Sequence, residues 1–147
     1  MYKHLLVATD GSKLSGKAVT HAIALAKPLG AKLTAFYAAP EMPMPVYAEG
    51  VVFQPLSKKE YTASMAKEAS KVLDAVVAKA KAAGVSCAAA HAIAPSPWEA
   101  ILAAAKKSGC DAIVMASHGR RGVSALLLGS ETQKVLTHGK TPVIVVR

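Results

Sequence analysis

Residues 111–132 read DAIVMASHGRRGVSALLLGSET, and the organisation of the chain can be worked outward from this stretch. Residues 111–116 are nearly all apolar, without the polar alternation of a half-solvated strand. That is the pattern of a parallel strand covered by helices on both faces. The run is broken at Ser117, His118 and Gly119, and a glycine-punctuated segment leads to Gly129 and Ser130. Ser130 and Gln133 have the spacing of a capping box, which predicts a helix from about Ser130. A helix N-terminus presents unpaired N–H groups and a positive dipole end, both favourable to phosphate.

Outward from there the same grammar repeats. Residues 142–146 (PVIVV) form a second uninterrupted apolar run. Residues 4–8 (HLLVA) end in Thr9-Asp10-Gly11-Ser12, and a helix over 13–29 follows with Leu14, Ala18, Ile23, Leu25 and Leu29 near helical spacing. Residues 32–38 and 85–93 read as strands, 58–83 as a long helix ended by Gly84, and 39–57 as a long loop carrying Pro40, Pro43, Pro45 and Pro55. Ser96-Pro97-Trp98-Glu99 predicts another helix start, with Ser96 as cap, Pro97 at the first helical position and Glu99 completing a capping box. Strands alternating with helices imply right-handed crossovers and a parallel sheet. The expected fold is α/β, a single doubly wound domain over residues 1–147 with a five-stranded parallel sheet and helices on both faces.

Composition excludes several classes. A chain of 147 residues is long enough to bury a core without staples, and its two cysteines, Cys87 and Cys110, make no disulfide framework. No signal-peptide core opens the sequence, and no apolar stretch approaches the roughly 20 residues of a membrane span. A cytoplasmic protein with no membrane partner is expected. The net charge is +9, and six of the fifteen lysines (Lys58, Lys59, Lys67, Lys71, Lys79 and Lys81) are spaced along the 58–83 helix, which reads as a solvated face. Aromatic residues are 5% and do not alternate with basic ones, so no nucleic-acid stacking platform is expected. His4, His21, His91 and His138 show no ligand spacing, and no metal site is predicted.

Ligands of open parallel sheets bind beyond the carboxyl ends of strands, where strand order reverses. The residues so placed are Thr9 and Asp10, Ala38 and Ala39, and Ser117, His118 and Gly119. Arg120 and Arg121 add charge to the last turn. By contrast, Gly11-Ser12-Lys13-Leu14-Ser15-Gly16-Lys17-Ala18 only approximates a phosphate-binding P-loop. Ala18 replaces the magnesium-binding hydroxyl, and a cap at Ser12 would place Gly16 and Lys17 inside the helix.

Residues 111–132 resemble the signature of the universal stress protein family, specifically its ATP-binding branch, with its Gly-x2-Gly-x9-Gly-Ser/Thr pattern. The second glycine falls on Gly119, the third on Gly129 and the hydroxyl on Ser130. The first falls on Ala116, whose methyl would crowd phosphates and resist positive φ. HLLVATDGS near the start and TPVIVVR at the end resemble the family too, so the likeness covers essentially the whole chain. The resemblance implies strand order 3-2-1-4-5, adenosine held by Asp10 and the backbone around Thr9, and an adenine pocket lined by Ala38. It also implies ribose and phosphates held by Gly119, Gly129, Ser130 and Thr132. The full binding set is then Ala8, Thr9, Asp10, Ala38, Met115, Ala116, His118, Gly119, Arg120, Arg121, Gly129, Ser130, Glu131 and Thr132.

The cofactor implied is ATP, with Mg2+ held mainly by the phosphates, and the implied assembly is a homodimer through strand 142–146, with a further protein partner unidentified. No paired carboxylates mark a catalytic site, so no catalytic residue is assigned. The expected role is a nucleotide-dependent regulator of the stress response with slow hydrolysis at most. The alternatives are a nucleotide-free dimeric interaction module and a genuine ATPase. Gly129→Val is expected to abolish ATP binding while leaving the fold intact.

Overall fold

The computed structural model describes residues 1–53, 56–118 and 128–147. The chain runs β1 (His4–Ala8), α1 (Lys13–Leu29), β2 (Lys32–Ala39), β3 (Val46–Ala48), β4 (Val51–Phe53), α2 (Lys58–Ala82), β5 (Cys87–Ile93), α3 (Pro97–Ser108), β6 (Ala112–Ala116), α4 (Ser130–His138) and β7 (Val143–Val146). Five strands form one parallel sheet in the order β5-β2-β1-β6-β7. With the β3–β4 hairpin set aside, this is the order 3-2-1-4-5.

Alternation along each strand divides the core in two. Leu5, Val7, Leu33 and Val114 face α1 and α2, whereas Leu6, Phe36, Ile113 and Met115 face α3 and α4. Leu5, Leu6 and Ile113 are fully buried, so truncating any of them to alanine would cost about 2–5 kcal/mol. Among the described residues no helix is long and apolar enough to cross a membrane.

Two sequence expectations about local structure need correction. The 39–57 segment is not loop throughout. Val46–Ala48 pairs antiparallel with Val51–Phe53 across a two-residue turn in which Glu49 and Gly50 both have positive φ, 51° and 79°. Such left-handed pairs match the twist of a hairpin. At α3, Ser96 is the N-cap residue but makes no side-chain capping bond, so the Ser96–Glu99 box does not form. The N-cap of α1 is Ser12, whose hydroxyl accepts from the Ser15 amide, and Gly16 and Lys17 therefore lie inside the helix.

Candidate functional site

From β1 the chain proceeds to β2 and β5 on one side of the sheet, while β6 and β7 lie on the other. Strand order reverses between β1 and β6, and the turns leaving their carboxyl ends flank that crevice. The first turn is tightly wired. The Thr9 amide donates to the carbonyl of Phe36 at 3.0 Å, and the Thr9 hydroxyl shares a hydrogen bond with that of Ser15 at 3.0 Å. The amide of Ser12 donates to Asp10 Oδ1 at 2.9 Å, fixing the carboxylate beside the start of α1. Gly11, at φ 78°, supplies the left-handed conformation that lets the turn close.

The second turn is held as firmly. The Ser117 amide donates to Val146 at 2.8 Å, and its hydroxyl shares a hydrogen bond with His118 Nδ1 at 2.9 Å. The other ring nitrogen, His118 Nε2, is buried and has no hydrogen-bond partner among the described residues. The start of α4 is docked against this turn: Gly129 donates its amide to Ser117 at 2.7 Å, and Thr132 donates its hydroxyl to Ala116 at 3.0 Å.

This docking corrects the reading of α4. Gly129 is the N-cap residue and Ser130 the first helical residue, so no Ser130–Gln133 capping box forms. It also corrects the expectation that Gly129→Val would spare the fold. A Cβ at 129 would stand 2.9 Å from the Ser117 oxygen and 3.2 Å from His118 Cα, so backbone must shift to admit any side chain.

Ala8, Ala38 and Met115 share the α3–α4 face of the sheet, where the half-buried alanines and buried Met115 form an apolar wall at the carboxyl ends of three strands. Ala116 instead packs on the α1–α2 face, at 6% exposure, and is the last residue of extended β6. The methyl is spent in the core, and the position does not call for positive φ. Ser130 is exposed at the head of α4, while Thr132 is buried with its proton committed to Ala116. Glu131 is engaged with α3. Its carboxylate accepts from the Trp98 amide at 2.9 Å, supplying the N-terminus of α3 with the acceptor that Ser96 does not, and lies 3.3 Å from Lys134 Nζ. Gly119, Arg120 and Arg121 lie outside the described residues. Asp111 sits at the opposite end of the sheet and accepts from the amides of Lys3 and His4.

Sequence reasoning did not single out Ser15 or the Glu131–Trp98 contact. The first is a hydroxyl one helical turn past the cap, and nothing local marks a contact spanning 33 residues. Among the described residues no three His, Cys, Asp or Glu side chains are grouped to hold a metal ion.

The geometry of a reversed parallel sheet with paired turns is matched by sequence. The profile of the universal stress protein family matches residues 1–147. The chain belongs to the universal stress protein family. It is 34% identical to the universal stress protein YxiE of Bacillus subtilis strain 168, over the full length of both. Among solved structures, the Methanocaldococcus jannaschii protein MJ0577 shares the fold with a TM-score of 0.82 at 23% identity, covering 99% of this chain and 96% of that one. A universal stress protein solved in complex with cAMP has a TM-score of 0.73 and 25% identity, covering 99% of this chain and 97% of its own.

Proposed function

We propose that this universal stress protein binds an adenine nucleotide, ATP being the expected species, in the crevice between the Thr9–Asp10 and Ser117–His118 turns. The observation that carries the reading is the docking of the α4 N-terminus onto the carboxyl end of β6. It sets an exposed Ser130 and the positive end of a helix dipole beside the point where strand order reverses. The buried Nε2 of His118, unpartnered among the described residues, supports it, because an orphaned buried polar atom is costly unless something pairs with it. The wall of Ala8, Ala38 and Met115 offers an apolar surface for a flat base, and the cAMP complex of a relative supports the adenine class.

In this reading Asp10 accepts from ribose or base, Ser130 and the first amides of α4 meet phosphate, and Mg2+ is carried mainly by the phosphates. Thr132 and Glu131 act indirectly, holding α4 and α3 in place. The nucleotide acts as a ligand whose occupancy biases conformation or partner choice, which requires different affinities in the two states. The Ala116 methyl is buried on the opposite face, away from the Ala8–Ala38–Met115 wall, which supports nucleotide binding over a nucleotide-free module.

The test is titration calorimetry with ATP–Mg2+, AMP and cAMP, beside chromatography of nucleotide released on heat denaturation. One-site binding of an adenine nucleotide, weakened at least about tenfold by Asp10→Ala, is expected, since a lost hydrogen bond to a charged group is worth about 1.5–3 kcal/mol. Protein that is empty on purification and silent in every titration would overturn the reading.

The homodimer belongs to the same proposal. Among the described residues β7 pairs only with β6, and Val143, Ile144 and Val145 on this edge are half-buried. Val145→Lys is expected to yield monomer in light scattering, and a dimer surviving that change would place the interface elsewhere.

A further inference from the structure

An open groove lies on the other face of the sheet, between α1 and α2, with a volume of about 600 Å³. That is within the range of small-molecule sites, which are mainly apolar with a few placed polar groups. Val19, Val72 and Val76 give it an apolar lining, and the Thr9–Ser12 turn closes one side.

Gly16 is the residue that singles the groove out. It lies inside α1, where glycine is disfavoured relative to alanine because it adds backbone freedom to the unfolded chain. Neither usual reason for a glycine applies: its φ is not in the left-handed region, and a Cβ there would meet nothing within 4 Å. Gly16 is exposed and lines the groove, so a large side chain there would meet no clash and could extend over its open space.

The charge is as informative as the shape. Lys71 and Lys79, two turns apart on α2, both line the groove. Lys79 Nζ donates to Thr20 Oγ1 of α1 at 2.7 Å, which holds the ammonium over the gap with further protons to give. The one acidic residue among the described residues of the lining, Glu68, accepts from the Tyr37 hydroxyl of the sheet at 3.1 Å. An apolar floor beneath two ammonium groups is complementary to an acidic head on an apolar body.

We infer that the α1–α2 groove is a second ligand site, for a small amphiphilic anion, kept open by Gly16 and selected for charge by Lys71 and Lys79. It lies on the face opposite the Ala8–Ala38–Met115 wall and does not rest on the nucleotide reading. The probe is 8-anilinonaphthalene-1-sulfonate, followed by fluorescence with the full-length protein. Saturable one-site binding is expected, weakened at least about tenfold by Gly16→Leu, which extends over the groove, and at least about fivefold by the Lys71→Gln/Lys79→Gln pair. The uncharged N-phenyl-1-naphthylamine is expected to bind at least about fivefold more weakly than the sulfonate. Circular dichroism is expected to show both variants folded, since position 16 opens onto free space and both lysines are exposed. Unchanged affinity in Gly16→Leu, or no saturable binding at all, would overturn the site. Equal affinity for the neutral probe, or no loss in the lysine pair, would overturn its anionic class.

Discussion

The amide of Gly129 donates to the carbonyl oxygen of Ser117 at 2.7 Å, and a side-chain carbon at 129 would stand 2.9 Å from that same oxygen. The glycine is therefore required by the approach of two backbones, before any phosphate is considered. Gly129→Ala is expected to cost about 1–3 kcal/mol, the usual penalty for forcing atoms into a packed contact. Urea denaturation measures it, and nucleotide affinity should fall in the same variant because the start of α4 is displaced. A midpoint equal to that of the parent protein would show that the contact yields freely.

Thr132 tests the same joint without overpacking it. Its hydroxyl, on a residue 3% exposed, donates to the carbonyl of Ala116 at 3.0 Å. Thr132→Val preserves shape but leaves that carbonyl short of a donor, a loss of about 1–3 kcal/mol. Thr132→Ser is expected to recover most of the stability. If Thr132 holds the helix and does not touch the ligand, nucleotide affinity in Thr132→Val falls less than about threefold while the denaturation midpoint drops. A tenfold loss of affinity at unchanged stability would instead assign the hydroxyl to the nucleotide.

The frame was legible because its signals are local and long. β6 and β7 stand out as uninterrupted apolar runs, and α1 and α2 end at Gly30 and just before Gly84, glycines with positive φ. The positions of Thr9, Asp10, Ser117 and His118 were legible for a topological reason, since strand ends follow once strands are placed. The roles of individual side chains were not. The Ser96–Glu99 and Ser130–Gln133 spacings look like caps, but Glu131 reaches across to the Trp98 amide, and Ser117 draws Gly129 into the capping position. Both contacts join residues far apart in sequence, so no local pattern could reveal them. The β3–β4 hairpin was hidden by the prolines around it, although Glu49-Gly50 between two valine-containing triplets is a turn signal of its own.

The two thiols give a pH prediction. Burial is the main cause that pushes Cys87 and Cys110 above the ordinary thiol pKa. At Cys110 a hydrogen bond with Thr34 opposes the shift and the Asp111 carboxylate adds to it. A raised folded-state pKa means that the folded protein favours the neutral thiol. The associated stability is fully present below the unfolded thiol pKa of about 8.5 and is lost as pH rises through the folded value. Urea midpoints measured from pH 7.5 upward are expected to decline less steeply in a Cys87→Ser/Cys110→Ser variant than in the parent protein. At pH 8 iodoacetamide should modify the native thiols more slowly than the urea-unfolded ones, because the thiolate is the nucleophile. Native rates equal to unfolded rates would contradict the burial of these groups.

Glu131 links the two helices on the site side of the sheet, and Trp98, the only tryptophan in the chain, reports on it. The carboxylate accepts from the Trp98 amide at 2.9 Å, and the indole ring stacks on His138 with centroids 4.7 Å apart. Glu131→Gln keeps an acceptor of similar reach but removes the charge that favours the positive end of α3, an effect of about 0.3–1 kcal/mol. Glu131→Ala removes the acceptor as well and is expected to cost about 0.5–2 kcal/mol, the range for a lost N-cap group. Trp98 emission should shift in Glu131→Ala, because the start of α3 loosens against α4, and stay near the parent spectrum in Glu131→Gln. If Glu131 acts only through α3, ATP affinity changes less than about threefold in both variants. A large loss of affinity in Glu131→Gln, with the emission spectrum unmoved, would return the carboxylate to the nucleotide site.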